Sequence, residues 1–178
     1  MFEIHKHDEK MLIFSGDDEI PYSIGGFLTD SVVFKISVEA ALWCKSYKPP
    51  GLGAGCIMPE INFLVITALI KNRAAQSLAI PRSSPPVFTL LEEYGEEHAV
   101  SANPAFAGRN LTRKILSGSV IHPKLPLKGE LVFDVPEGDY ALVVSRGALD
   151  MNGCIKRVCD IGRYRLTPQN KNHTDSDE

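Results

Sequence analysis

Five histidines, four cysteines and one run of basic residues are the groups in this 178-residue chain whose types and spacing could do chemistry. The histidines are His5, His7, His98, His122 and His173. His5 and His7 offer two imidazoles in a polar N-terminal stretch, too few for a tight metal site without further ligands on rigid elements. No G-x-S-x-G motif occurs, and no serine is spaced to sit beside a base and an orienting acid. Asp134 and Asp139 flank a Pro-Glu-Gly segment, where carboxylates usually form the turn itself. Asp17-Asp18-Glu19 lacks the D-x-D-x-D-G spacing of a calcium loop. The residues therefore point to a non-enzyme, with no catalytic residue, no cofactor and no metal site.

The cysteines are Cys44, Cys56, Cys154 and Cys159. An even count allows two local disulfides, Cys44 with Cys56 across a Pro/Gly-rich loop and Cys154 with Cys159 across a short basic turn. Four reduced thiols are the alternative, and the redox compartment decides between them. The spacings C-x11-C and C-x4-C fit zinc poorly.

The basic run is the one surface with binding promise. Arg109, Arg113, Lys114, Lys124 and Lys128 occur with no acid between residues 109 and 128, with Lys156, Arg157, Arg163 and Arg165 as possible additions. Only Phe106 and Tyr164 lie near these charges, so the interleaved aromatics of a single-strand nucleic-acid binder are missing and nucleic acid is disfavoured. The net charge of -3 gives no global pull towards polyanions. Residues 1–30 carry seven acids against two lysines, and Asp17-Asp18-Glu19 could fold over the basic run as an internal competitor.

The elements that must position these groups read as strands. Leu131, Phe133 and Val135 alternate with polar residues, as do the residues around Leu142 and Val144, and Pro136-Glu137-Gly138-Asp139 separates the two runs. Val32 to Ala41 alternates over ten residues, ending near Trp43. Ile61 to Ile70 is apolar on both faces, as a central strand is. Short strands follow at 77–80, 87–91 and 98–101, and a last one near 163–166. Residues 103–119 show mixed helical spacing, expected as a turn or two of helix in a crossover. The glycine-rich Lys48 to Cys56 lacks the Lys-Ser/Thr and following helix of a phosphate loop, so it reads as plain loop. No stretch approaches the roughly 20 apolar residues of a membrane span.

About seven strands spaced by Pro/Gly turns predict an all-β fold, an immunoglobulin-like antiparallel β-sandwich with one short helical crossover. The expected division is a partly ordered N-terminal arm over 1–30, the sandwich over 31–166 and a disordered tail over 167–178. Phe34, Ile36, Val38, Phe63, Val65, Leu131, Phe133 and Leu142 are expected to share one core between two sheets.

Three segments resemble a bacterial family of secreted and lipoprotein immunoglobulin-like sandwiches of unknown function, related in fold to a secreted mycobacterial antigen. They are Phe63-Leu-Val-Ile-Thr-Ala-Leu-Ile-Lys-Asn72, Phe88-Thr-Leu-Leu-Glu-Glu-Tyr-Gly95 and His122-Pro-Lys-Leu-Pro-Leu-Lys-Gly-Glu-Leu-Val-Phe-Asp-Val-Pro136. Lys124 replaces the glycine that usually follows the proline, and no lipobox cysteine stands near the start. The resemblance implies a non-enzymatic, extracytoplasmic domain that binds another protein or a cell-surface component. The rival expectation is an intracellular module that takes an anionic ligand on the basic run. If no signal peptide precedes residue 1, a cytoplasmic location follows. The oligomeric state and the partner have no signature in the sequence.

Overall fold

The computed structural model describes residues 10–16, 19–23, 32–47, 56–101, 106 and 108–168. His5, His7 and His173, Asp17 and Asp18, most of the glycine-rich loop and the tail beyond 168 lie outside them.

Within the described residues the chain is almost entirely antiparallel β structure. The strands are β1 (Lys10–Gly16), β2 (Ile20–Ser23), β3 (Val32–Cys44), β4 (Phe63–Asn72), β5 (Leu78–Ala79), β6 (Pro86–Glu92), β7 (Glu97–Ala99), β8 (Val120–Ile121), β9 (Leu127–Asp134), β10 (Tyr140–Leu149) and β11 (Ile155–Pro168). One helix, α1 (Leu111–Leu116), lies in the crossover between β7 and β8. Its N-cap is Asn110, whose side chain accepts from the Arg113 N–H, the usual way to satisfy a free donor at a helix start.

Strand pairing runs β7-β6-β10-β11-β1-β3-β4-β9, with β2 on the same edge of β3 as the first residues of β1. The path folds over at β1. Leu12 to Gly16 pair with Pro168 to Tyr164 of β11, while Lys10 and Met11 pair with Trp43 and Leu42 of β3. The two halves thus face each other as two sheets sharing a strand. Phe34, Leu64 and Phe133 from one half and Leu90, Leu142 and Leu166 from the other are all buried in the cluster between them. The Tyr164 hydroxyl crosses the gap and donates to the Ile36 carbonyl at 3.1 Å, so its buried polar end is satisfied.

Alternation explains which side chains fill this layer. In β3 Phe34, Ile36 and Val38 point in; a bulge at Glu39 shifts the phase, so Ala41 and Trp43 are the next inward residues. Trp43 packs tilted against Tyr140, ring centres 6.0 Å apart. In β4 the inward set is Leu64, Ile66, Ala68 and Ile70. Phe63 and Val65 therefore lie on the opposite face, which corrects the expected core. They form a second apolar cluster with Cys44, Tyr47, Phe106 and Val132 on the outside of that sheet.

The structure also revises the expected ends of the sandwich. Residues 10–16 and 19–23 belong to the sheets rather than to an arm, since Ile20 and Tyr22 are almost fully buried and β1 joins the two sheets. The segment between β9 and β10 connects strands of opposite sheets, because β9 pairs with β4 and β10 with β6 and β11. The last strand is 14 residues long instead of four, starting at Ile155 after a turn at 150–153, with Gly153 at φ 76°. It reaches Pro168, past the expected end of the sandwich at 166.

Helix α1 closes one end of the sandwich. Leu111 and Ile115 enter the main core, and the helix rests on β9 at Gly129, where a Cβ would lie 2.7 Å from the Leu111 backbone. Only glycine admits that approach. The charged turn between β6 and β7 likewise places Gly95 at φ 93°.

Candidate binding surface

On β3, β4 and β9 the residues that alternate with the core point outward, and they divide that face into two ends. At one end Phe106 meets Tyr47 and Phe63 edge to face, with ring centres at 4.8 and 5.3 Å. The Tyr47 hydroxyl donates to Glu130 Oε2 at 2.9 Å, and Arg109 donates to Glu130 Oε1 at 3.2 Å. Burial, and then the neighbouring Glu130 carboxylate, push the Tyr47 phenol well above its ordinary range. This phenol is a hydrogen-bond donor at every physiological pH. The arrangement anchors the crossover to β9.

The other end is basic. Lys35 of β3 stands directly opposite Lys71 of β4. Arg73 follows β4, and its N–H donates to the Val33 carbonyl at 2.7 Å. Leu69 pairs with Lys128 of β9, and Lys114 of α1 donates to the Lys128 carbonyl at 2.7 Å. Five cations, Lys35, Lys71, Arg73, Lys114 and Lys128, thus occupy one region. Among the described residues two carboxylates oppose them: Glu39 binds Lys128 at 2.6 Å, and Glu19 binds Lys71 at 2.9 Å, Arg73 at 3.1 Å and Lys35 at 3.5 Å.

The five residues expected to form a patch have separate fates. Arg109 is paired with Glu130, Lys128 with Glu39, and Lys114 holds a carbonyl. Arg113 and Lys124 are exposed. The acid-free count along residues 109–128 misled because neighbouring strands bring in the acids. Conversely Lys35, Lys71 and Arg73, which carry the most concentrated charge, are scattered along the chain. Only their outward phase in β3 and β4 hinted at a shared face. Glu19, the one described residue of the acidic DDE run, binds these three and not the crossover.

The hydrogen bond from Lys71, followed by that from Arg73, outweighs the effect of burial and holds the Glu19 carboxyl down from its ordinary 4.5 to about 2. A carboxyl depressed on folding contributes stability that is fully present above its unfolded value and lost as pH falls towards the folded one. The stability gap between the natural protein and Glu19→Gln is therefore expected to be open at pH 6 and to close as pH falls from about 4.5 towards 2. Urea midpoints for the two proteins across that range measure it; a gap independent of pH would refute the assignment.

No disulfide joins the four cysteines in this structure, where Cys44 is buried and Cys56, Cys154 and Cys159 are exposed. Cys154 immediately precedes β11 and Cys159 lies within it, five residues further on. At about 3.3 Å per extended residue their Cα atoms are separated by well over the roughly 7 Å limit of a disulfide, so a bridge between them has no geometry.

One grouping went unforeseen in the sequence. Glu92, Glu96 and His98 bring ligand atoms within 4.8 Å of one another on the β6–β7 hairpin. His98 Nε2 lies 2.9 Å from Glu92 Oε1, and its ring meets Tyr140 edge-on. Burial and then Glu92 push the Tyr140 phenol up to about 12. The Glu92–His98 contact accounts for the pairing without a metal. Asp134 is a loop former, accepting from the Glu60 and Ile61 amides at 2.7 and 2.9 Å.

Fold and surface together define a class: an all-β protein of two facing antiparallel sheets with a basic outer face. No family model matches the chain and no curated protein matches it. A solved structure, at 2.2 Å, of a conserved hypothetical protein from Bacillus anthracis is similar at 15% identity and a TM-score of 0.46, covering 81% of this chain and 97% of that one. A likeness at that level says nothing of function. No helix among the described residues is long and apolar enough to cross a membrane.

Proposed function

We propose that this protein is a non-enzymatic binding domain that uses the basic end of its outer sheet face to hold an anionic partner. One observation carries the reading: among the described residues, five cations from β3, the end of β4, β9 and α1 share a region with two carboxylates, in a chain whose net charge is -3. Charge concentrated against the overall sign steers a ligand to one place on the surface. An extracytoplasmic setting, with a protein or cell-surface component as partner, is supported by the resemblance of the segments that became β4, β6 and β9. The proposal rests on the two facing sheets and their outer face rather than on any particular strand order.

Heparin chromatography tests the reading. The intact protein is expected to be retained at low salt and to elute steeply as salt rises, because exposed charges are screened within about 10 Å at 0.1 M. Lys71→Glu with Lys128→Glu is expected to abolish retention, and Arg113→Glu with Lys124→Glu to weaken it. Passage of the natural protein in the void volume would overturn the proposal. Residues 1–28 must be kept, since β1 and β2 belong to the sheets.

A further inference from the structure

Lys35, Lys71 and Arg73 converge on Glu19 in a way that stability does not require. A surface ion pair needs one cation and is worth little, about 0–1 kcal/mol. Here, among the described residues, three cations reach one carboxylate, an excess of two positive charges over Glu19. Lys35 and Lys71 are also cross-strand partners, and like charges facing each other across a ladder oppose folding. The side chains are 38, 41 and 52% exposed, so a solute reaches them directly.

We propose that Lys35, Lys71 and Arg73 form a site for a tetrahedral oxyanion of the phosphate class, and that Glu19 is its resident occupant. The inference rests on the reading of this face as the binding surface and names the ligand chemistry. The planar Glu19 carboxylate serves the three cations unequally. Oε1 takes Lys71 at 2.9 Å, Oε2 takes Arg73 at 3.1 Å, and Lys35 is left at 3.5 Å. A phosphate dianion presents three oxygens to one side and carries one negative charge more than the Glu19 carboxylate. The guanidinium of Arg73 suits such an oxyanion by its forked donors, and the two ammonium groups by their free rotation. Glu19 directly precedes buried Ile20, so β2 tethers the carboxylate beside the cations. A tethered competitor acts at high effective concentration, so an anion from solution must displace it. The intact site is thus attenuated, and moving or neutralising one side chain opens it.

The test compares the full natural chain with Glu19→Gln, titrating inorganic phosphate at constant ionic strength by calorimetry and by thermal unfolding. Phosphate is expected to bind the variant at least tenfold more tightly and to raise its Tm where the same ionic strength of chloride does not. Adding Lys71→Gln to Glu19→Gln is expected to remove the gain, and Glu19→Ser serves as a second opening variant if Gln perturbs folding. Co-sedimentation with phosphatidylcholine vesicles containing phosphatidic acid identifies a lipid phosphate as the source; soluble phosphate binding without vesicle binding identifies a free one. Equal phosphate affinity in the natural protein and both Glu19 variants would overturn the inference. If heparin retention survives that outcome, only the ligand assignment falls; if it is lost as well, the binding face falls with it.

Discussion

Phe133→Ala is expected to lower the unfolding free energy by about 3–5 kcal/mol, a large part of the stability of a domain this size. The ring is fully buried on β9 between the two sheets, and its register partner is the equally buried Leu64 of β4. Sheets on both sides cannot move into the vacated volume, so the lost contacts are not recovered. Urea denaturation should show a lower midpoint with an unchanged slope. Phe63→Ala should cost less, because Phe63 belongs to the small outer cluster of six buried residues. Equal losses at the two positions would mean that the outer cluster is as consequential as the inner one.

The second large effect is expected at Asn72, a side chain 3% exposed at the end of β4. Its amide donates to the carbonyls of Gln76 and Ile121 at 2.7 and 2.8 Å, and its oxygen accepts from the Ala74 N–H at 2.8 Å. One residue thus closes the turn after β4 and ties it to β8. Asn72→Ala leaves the buried Ile121 carbonyl without its donor, for a loss of about 2–4 kcal/mol across the three bonds. Asn72→Asp is expected to be worse, since it removes both donors and sets a carboxylate against two carbonyl oxygens. Thermal unfolding of the two variants ranks them; Asp at or above Ala would refute this account.

The sequence made β3 and β9 legible because each has one face in the core and one in solvent, and period-two alternation records that difference directly. β4 is different. Both its faces are covered, so its apolar run showed a central strand without showing which side chains met which core. Phe63 and Val65 were therefore assigned to the wrong layer. The β10–β11 hairpin was cut short for another reason. Glycine is common in turns, but Gly147 lies within β10, and the 2.6 Å that a Cβ would leave to the Pro85 carbonyl explains why glycine stands there. The basic face was half legible. Charges adjacent in sequence, such as Arg113 and Lys114, draw notice, whereas Lys35 and Lys71 become neighbours only through the register of two strands. Glu19 could not be matched to them without the path that carries β2 onto β3.

The pairing of β1 with both β11 and β3 also sets an order in time. Leu12 has no strand partner until Pro168 has been synthesised, so the first of the described strands waits for the last of them. The β3–β4 hairpin forms from nearby chain and has no such wait. During synthesis the half-built protein therefore exposes the inner faces of Phe34 and Ile36, with one long strand edge still open. Closure of the seam is the step that protects them, and a nascent chain held short of β11 is the species most exposed to aggregation.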